Sequence, residues 1–413
     1  MRLKSVAFTA AITPFVAGVQ LLAAPPAAAR PIPPGTPALL WGDLQPGSFS
    51  VGFRVLYERD KTRKWLDSAG NDPGRPIRIS LWYPAAPTPG AQPMRYGDYF
   101  HFDGPADFKA LDDELERDDR ESWTSDLAGG SPNGTEIFSK LLATPVAAVR
   151  NAAMARGRFP VVLYAPGLGA RADANVELAE YLASHGYMVA VVPQLGPSAA
   201  DLANGSLPAE IALHVRDMEV AADELRRQPE PDMERLAVVG HSAGGIAALD
   251  FAMQHPDTKA VVGLDGSYGF RGGAKIVERL PDYAPGRIRA SILDLRRAND
   301  VQGADLDLAV LDDAVAADRY LVAFPHMFHG DFTEFGPIGL KLAVPLPPNH
   351  DGRTRQTGYD GNQHAYRALL SFLDAKLRGR SSGMAELTAE IRQSEGATIV
   401  HLAPGNVPAR RER

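Results

Sequence analysis

The spacing of hydrophobic and polar positions changes character twice along this chain. Apolar and polar residues alternate over Val51–Tyr57 and again over Ile77–Tyr83, with turn-rich sequence between them. A period of two predicts half-buried strands, here an antiparallel pair at the start of a sheet. From Asp103 to Asp126 the chain is strongly acidic, and Phe108, Leu111 and Leu115 recur at helical spacing. That predicts a surface helix packed by one narrow stripe, with a lid over a site as the alternative. Gly134 to Ala153 reads as one or two short helices broken by Pro145.

At Phe159 the pattern becomes an alternation of strands and helices. Pro160–Ala165, Tyr187–Val192, Leu236–Val239, Ala260–Leu264, Ile288–Leu293 and Arg319–Phe324 are short apolar runs of buried-strand type. Asp173–His185, Pro208–Arg227, Ala243–Phe251 and Gln363–Leu377 carry helical periodicity. Such alternation predicts an α/β fold, a mostly parallel central sheet with helices on both faces and antiparallel N-terminal strands. The expected boundaries are a leader over 1–29, a Pro-rich stretch over 30–46 and one domain over 47–378. The segment 103–153 reads as a helical insertion, and 379–413 as a polar, loosely attached tail.

One junction carries chemistry. Leu236–Val239 runs into Gly240-His-Ser-Ala-Gly-Gly245, and a small, helix-favouring run follows. A serine at a sharp strand-to-helix turn requires very small neighbours two residues either side, and Gly240 and Gly244 provide them. The turn stands the Ser242 hydroxyl at the carboxyl end of a sheet, beside a helix N-terminus suited to an oxyanion. His241 reads as structural, its side chain leaving the turn away from a substrate.

A serine hydroxyl needs a base, and the base needs an orienting acid. Of the ten histidines, His326 and His329 lie on a loop just past a late strand. The acid has two candidates. Asp265 follows the first strand beyond the serine, with Gly266 leaving room for an imidazole. Asp300 follows the second, in a polar Asp-rich stretch. The oxyanion donors are expected to be the amide of Ala243 and, in Ala165-Pro-Gly-Leu-Gly169, that of Leu168.

Composition narrows the remaining classes. The chain has 413 residues, 45% of them hydrophobic and 23% charged, as expected of a globular protein with a real core. A net charge of −7 without a basic face disfavours nucleic acid as a partner. With no cysteine there is no disulfide framework, thiolate metal site or cysteine nucleophile. No nucleotide-binding or calcium-loop motif occurs, so neither cofactor nor metal is expected. Arg2 and Lys4, the apolar run Val6–Leu22 and Ala27-Ala-Ala29 read as a cleavable export signal. The mature protein is then expected in the periplasm or medium, with no stable membrane span and a small-molecule or lipid ester as partner.

Taken together, the motifs resemble α/β-hydrolases of the platelet-activating-factor acetylhydrolase type, with the bacterial esterases called dienelactone-hydrolase-like. The resemblance runs over Arg-Pro-Ile-x-Ile-x-Leu-Trp-Tyr-Pro at 75–84, Phe-Pro-Val-Val-Leu-Tyr at 159–164 and Pro-Gly-Leu-Gly at 166–169. It continues through Gly-His-Ser-x-Gly-Gly at 240–245, Leu264-Asp-Gly266, His326 and Asp331-Phe-Thr333. It implies Ser242, Asp265 and His326 as a triad, Leu168 and Ala243 as backbone donors, and an acyl-enzyme route for ester hydrolysis without a cofactor. True dienelactone hydrolases use a cysteine, which this chain lacks. Asp265 is followed by Gly-Ser-Tyr, where the lipid-cleaving members carry bulkier apolar residues. An amide or peptide hydrolase on the same fold, and a catalytically silent binding protein, stay open as alternatives.

If Ala27-Ala-Ala29 is a cleavage site, N-terminal sequencing of the exported protein will begin at Arg30. An intact Met1 on active, membrane-bound protein would refute the signal.

Overall fold

The computed structural model describes residues 39–66, 70–101, 103–128, 133–169, 174–195, 206–298, 307–346 and 352–406. In chain order come β1 (Ser50–Asp60), β2 (Arg75–Ala85), α1 (Lys109–Ala128), α2 (Gly134–Ala143) and β3 (Ala148–Arg150). Then follow β4 (Phe159–Ala165), α3 (Val176–Ser184), β5 (Met188–Val191), α4 (Leu207–Arg226), β6 (Pro231–His241) and α5 (Ala243–Gln254). The second half holds β7 (Ala260–Leu264), α6 (Gly273–Val277), β8 (Ser291–Arg297), α7 (Ala309–Asp313) and β9 (Arg319–Phe324). It ends with α8 (Phe335–Lys341), α9 (Arg355–Arg378), α10 (Gly383–Gln393) and β10 (Thr398–Leu402).

All these strands join one sheet, ordered β10-β9-β8-β7-β6-β4-β5-β2-β1-β3. The six strands from β5 to β9 in that order are parallel. β2 adds antiparallel to β5, β1 antiparallel to β2, and β10 antiparallel to β9. The apolar runs make the central strands buried on both faces. Val162, Tyr164, Val239, Val262 and Leu264 pack with Tyr366, Leu369 and Leu373 of α9. The alternate residues Val161, Leu163, Val238 and Val261 pack with α4 and α5 through Met218, Ile246 and Leu249. The chain leaves β4 for β5 on one side and returns through α4 to β6 on the other. Strand order therefore reverses at β4 and β6, whose carboxyl ends frame a crevice, the usual ligand position in open α/β sheets.

Several elements differ from their expected form. β8 begins at Ser291 and runs on to Arg297, through a stretch whose charges disguise it. Those charges are paired: Tyr268 Oη donates to Asp294 at 2.7 Å, and Arg297 bonds a carboxylate on the neighbouring strand end. α9 starts at Arg355, where the Thr354 hydroxyl accepts from the Thr357 amide at 3.0 Å.

The segment after Arg378 is not a loose tail. α10 buries Leu387 and Ile391, and β10 completes the sheet edge. It looked like a tail because an edge strand is half solvated, with Val400 and His401 exposed. The apolar stretch after Glu334 forms α8.

α1 packs differently from its predicted stripe. Phe108, Asp112, Asp119, Trp123 and Leu127 are buried, whereas Leu111 and Leu115 are half-buried. The helix turns two carboxylates inward because Arg78 of β2 is fully buried beneath it. Arg78 Nε lies 3.5 Å from Asp112 Oδ1, and Tyr57 Oη donates to Asp112 Oδ2 at 2.9 Å. At its far end Trp123 stacks on Phe335 of α8, ring centroids 4.8 Å apart. No helix among the described residues is long and apolar enough to cross a membrane.

Because Leu387 is fully buried between α10 and the core, Leu387→Ala should destabilise the protein by about 2–5 kcal/mol. Denaturant unfolding checks this; a change within error would mean the C-terminal unit contributes little to the cooperative fold.

Candidate active site

At the β6–α5 junction Ser242 has φ 55° and ψ −125°, a left-handed conformation that side chains rarely adopt. Its surroundings leave the turn no alternative. A Cβ on Gly240 would stand 2.0 Å from the Gly244 carbonyl oxygen, and one on Gly244 would stand 1.9 Å from that of Ala165. A Cβ on Gly245 would stand 2.7 Å from Gly266 Cα. Hydrogen bonds complete the clamp. Ser242 N donates to the Leu264 carbonyl at 3.1 Å, and the Ser267 and Gly245 amides donate to the Ser242 carbonyl at 2.9 and 3.0 Å. The Ser242 and Ser267 hydroxyl oxygens are 3.3 Å apart.

The loop after β4 passes directly over this turn. A Cβ on Gly167 would lie 3.3 Å from Ser242 Cβ. Leu168, next along, leaves its side chain exposed, and the Gly169 amide donates to Gln194 Oε1 at 3.1 Å. Ala243 opens α5, so its amide belongs to the first helical turn, where N–H groups have no partner within the helix. The two backbone segments expected to supply oxyanion donors thus flank Ser242.

Asp265 follows β7, itself at φ 46°. Its amide donates to the Leu295 carbonyl at 2.7 Å, which turns the carboxylate across the end of β8. Oδ1 accepts from the Arg297 amide at 3.0 Å. Oδ2 accepts from Arg297 Nε and from His329 Nδ1, both at 2.6 Å. Burial opposes ionisation of Asp265, yet the His329 bond and charge and the Arg297 guanidinium outweigh it, holding the carboxyl below its ordinary range.

The histidine on Asp265 is His329, not His326. His326 leaves the chain two residues past β9, is exposed, and lines a separate cleft of about 270 Å³ with Thr357, Asp360 and His364. The reason is distance. β8 lies between β9 and β7, so the loop must recross two strand spacings, roughly 10 Å. Two residues cannot do that; the chain first buries Met327, then turns back through a short 3₁₀ helix at His329–Phe332. Asp331 Oδ2 accepts from the Phe328 amide at 2.7 Å, closing that turn. Asn362 of α9 donates to the Asp331 and Thr333 carbonyls at 3.0 and 2.9 Å. The signal in the sequence was the tight His-Gly-Asp turn itself.

His241 has a specific structural role here. Its Nε2 donates to the His329 carbonyl at 3.1 Å, and its ring stacks on that of His329 with centroids 4.5 Å apart. Burial, reinforced by the neighbouring His329, pushes His241 down to about 3. Phe270 meets His329 edge-on at 5.4 Å. Arg297 has no motif to mark it in the sequence, although a charged residue ending a buried strand was a hint. Asp300, the alternative acid, lies outside the described residues.

With this geometry, comparison with solved structures is informative. A ferulic acid esterase from Streptomyces cinnamoneus superposes with a TM-score of 0.56, covering 85% of this chain and 96% of that one at 20% identity. The chain has the α/β-hydrolase fold. Residues 135–293 match the chlorophyllase family model, a span that holds Ser242 and Asp265 and stops short of β9. No curated protein matches the sequence.

The buried neutral His241 carries a pH signature. Unfolded, its pKa is near 6.5; folded, about 3. Between those values the unfolded chain binds a proton that the folded chain does not, so this ring's contribution to stability falls as pH drops. His241→Gln keeps a donor for the His329 carbonyl but does not titrate. Urea midpoints of the variant should therefore fall less between pH 7 and pH 5 than those of the parent. Parallel losses would show that the ring titrates normally in the fold.

Proposed function

We propose that this α/β-hydrolase is a serine carboxylic ester hydrolase, with Ser242 as nucleophile, His329 as general base and Asp265 as the acid that orients it. The observation that carries the reading is the His329 Nδ1–Asp265 Oδ2 bond of 2.6 Å beside a serine strained to φ 55°. With Nδ1 bonded to the carboxylate, Nε2 is the atom left to take a proton. Ser242 Oγ attacks the ester carbonyl as its proton passes to Nε2. The oxyanion forms against the Ala243 and Leu168 amides. His329 then protonates the departing alkoxide, leaving an acyl-enzyme. Water attacks the acyl carbon, again giving its proton to Nε2, and the acid departs with Ser242 Oγ regenerated.

The likeness to a ferulic acid esterase supports an ester substrate. The motif order through 75–84, 159–169, 240–245 and 264–266 supports the acetylhydrolase-like branch and a short acyl group. The leader expected over 1–29 supports a site of action outside the cytoplasm.

The assignment separates the two histidines sharply. His329→Ala and Asp265→Asn should each lower kcat/KM on a nitrophenyl ester by roughly 10³–10⁴-fold with the fold retained. His326→Ala should stay within about tenfold of the parent. An inactive His326→Ala beside an active His329→Ala would return the base to His326. Ser242→Ala should lose all labelling by a fluorophosphonate; persistent labelling would move the nucleophile elsewhere.

A further inference from the structure

We infer that Arg297 is a positioning residue for the Asp265–His329 pair, which fixes the carboxylate and tempers the basicity of the imidazole. The inference rests on the reading of Ser242, Asp265 and His329 as a catalytic triad and extends it to a fourth side chain.

The geometry is specific. Arg297 is the last residue of β8, and its side chain is 6% exposed. It holds Asp265 from two sides, through its backbone amide on Oδ1 and its Nε on Oδ2. Oδ2 is therefore shared between a permanent cation and His329 Nδ1 at the same 2.6 Å. The guanidinium also lies over the Phe270 ring, 5.1 Å from its centroid, and that ring abuts His329. Arginine, carboxylate, imidazole and phenyl ring form one closed contact set.

Two consequences follow from elementary electrostatics. The double bond from Arg297 leaves Asp265 one orientation, in which Oδ2 faces Nδ1. The fixed positive charge also offsets part of the carboxylate's negative charge. The imidazolium that forms during attack is then less stabilised than it would be beside a lone aspartate.

Other charged and titratable groups face the pair from each packed element. His241 comes from β6 and stacks on His329. Tyr268, after β7, and Asp294 of β8 are bonded to each other, and Arg296 pairs with Asp294. Asp331 lies in the His329 loop, with Arg355 of α9 acting on it. Of these, Arg297 is the cation that bonds the acid directly.

The test is the pH dependence of two reactions of the full chain: kcat/KM on a nitrophenyl ester, and the rate of fluorophosphonate labelling at Ser242. Arg297→Met removes the charge and the Nε donor at similar volume and keeps the backbone amide. Its acid limb should move to higher pH by roughly one unit or more in both profiles, with a lower plateau. Arg297→Lys restores the charge without the planar donor, so its limb should return towards the parent value while the plateau stays low. If the Met variant does not fold, Arg297→Gln, neutral and polar, should show the same upward shift. A folded neutral variant with the parent's acid limb would overturn the inference, since a purely structural arginine would lower activity without moving it. A parent protein labelled at Ser242 in that case leaves the triad reading intact; a parent not labelled there overturns both.

Discussion

Ser242 sits at φ 55°, and most of the surrounding structure can be understood as what keeps it there. A left-handed residue with a side chain is strained by an amount of order 1–3 kcal/mol and persists only where its surroundings over-determine it. The over-determination comes from backbone meeting backbone. Gly244 lies so close to the Ala165 carbonyl that a methyl group there would have to displace β4. Gly240 faces the Gly244 carbonyl at similar range, and Gly245 faces Gly266. Strands β4, β6 and β7 are thereby locked together at their carboxyl ends. The same lock brings the loop after β4 and the first amides of α5 to opposite sides of the serine.

A second level of organisation sits on that lock. Asp265 and His329 come from beyond the ends of β7 and β9, and each is held by further groups around it. The Asp265 amide is tied to Leu295, its carboxylate to Arg297, and the His329 carbonyl to His241. His241 is neutral in the fold, so its ring stacks on His329 without placing a second charge beside it. Its place in the turn sequence, beside Ser242, therefore has a physical reason in the packing against His329.

The sequence made legible whatever depends on local pattern. β7 and β9 have the expected limits, and the glycines around Ser242 announced the turn before any coordinate. Less legible were features decided by tertiary pairing. β8 looked too charged beyond Leu293 because the partners of Asp294 and Arg297 are residues distant in sequence. β10 looked like a tail because only its pairing with β9 makes it a strand. The choice between His326 and His329 turned on how far β9 lies from β7, a quantity set by strand order and absent from any motif. Resemblance to a family favoured the nearer histidine; the crossing of β8 required the farther one.

That crossing also brings Arg297, at the end of β8, against Asp265, which follows β7. A loop returning from β9 must pass over the end of β8, and whatever stands there touches the pair. A carboxylate at the end of β8 would add a second negative charge beside Asp265, and burial would push one of the two to protonate. An apolar residue would keep the backbone amide on Oδ1 but leave Oδ2 with His329 Nδ1 alone and no cation beside it. Together with the His329 bond and charge, a buried arginine keeps Asp265 ionised despite burial, and it spans the gap to the returning loop through Phe270. The order of strands thus bears on the intervening one: with Asp265 after β7 and His329 beyond β9, the end of β8 lies beside a buried carboxylate and supplies it a donor.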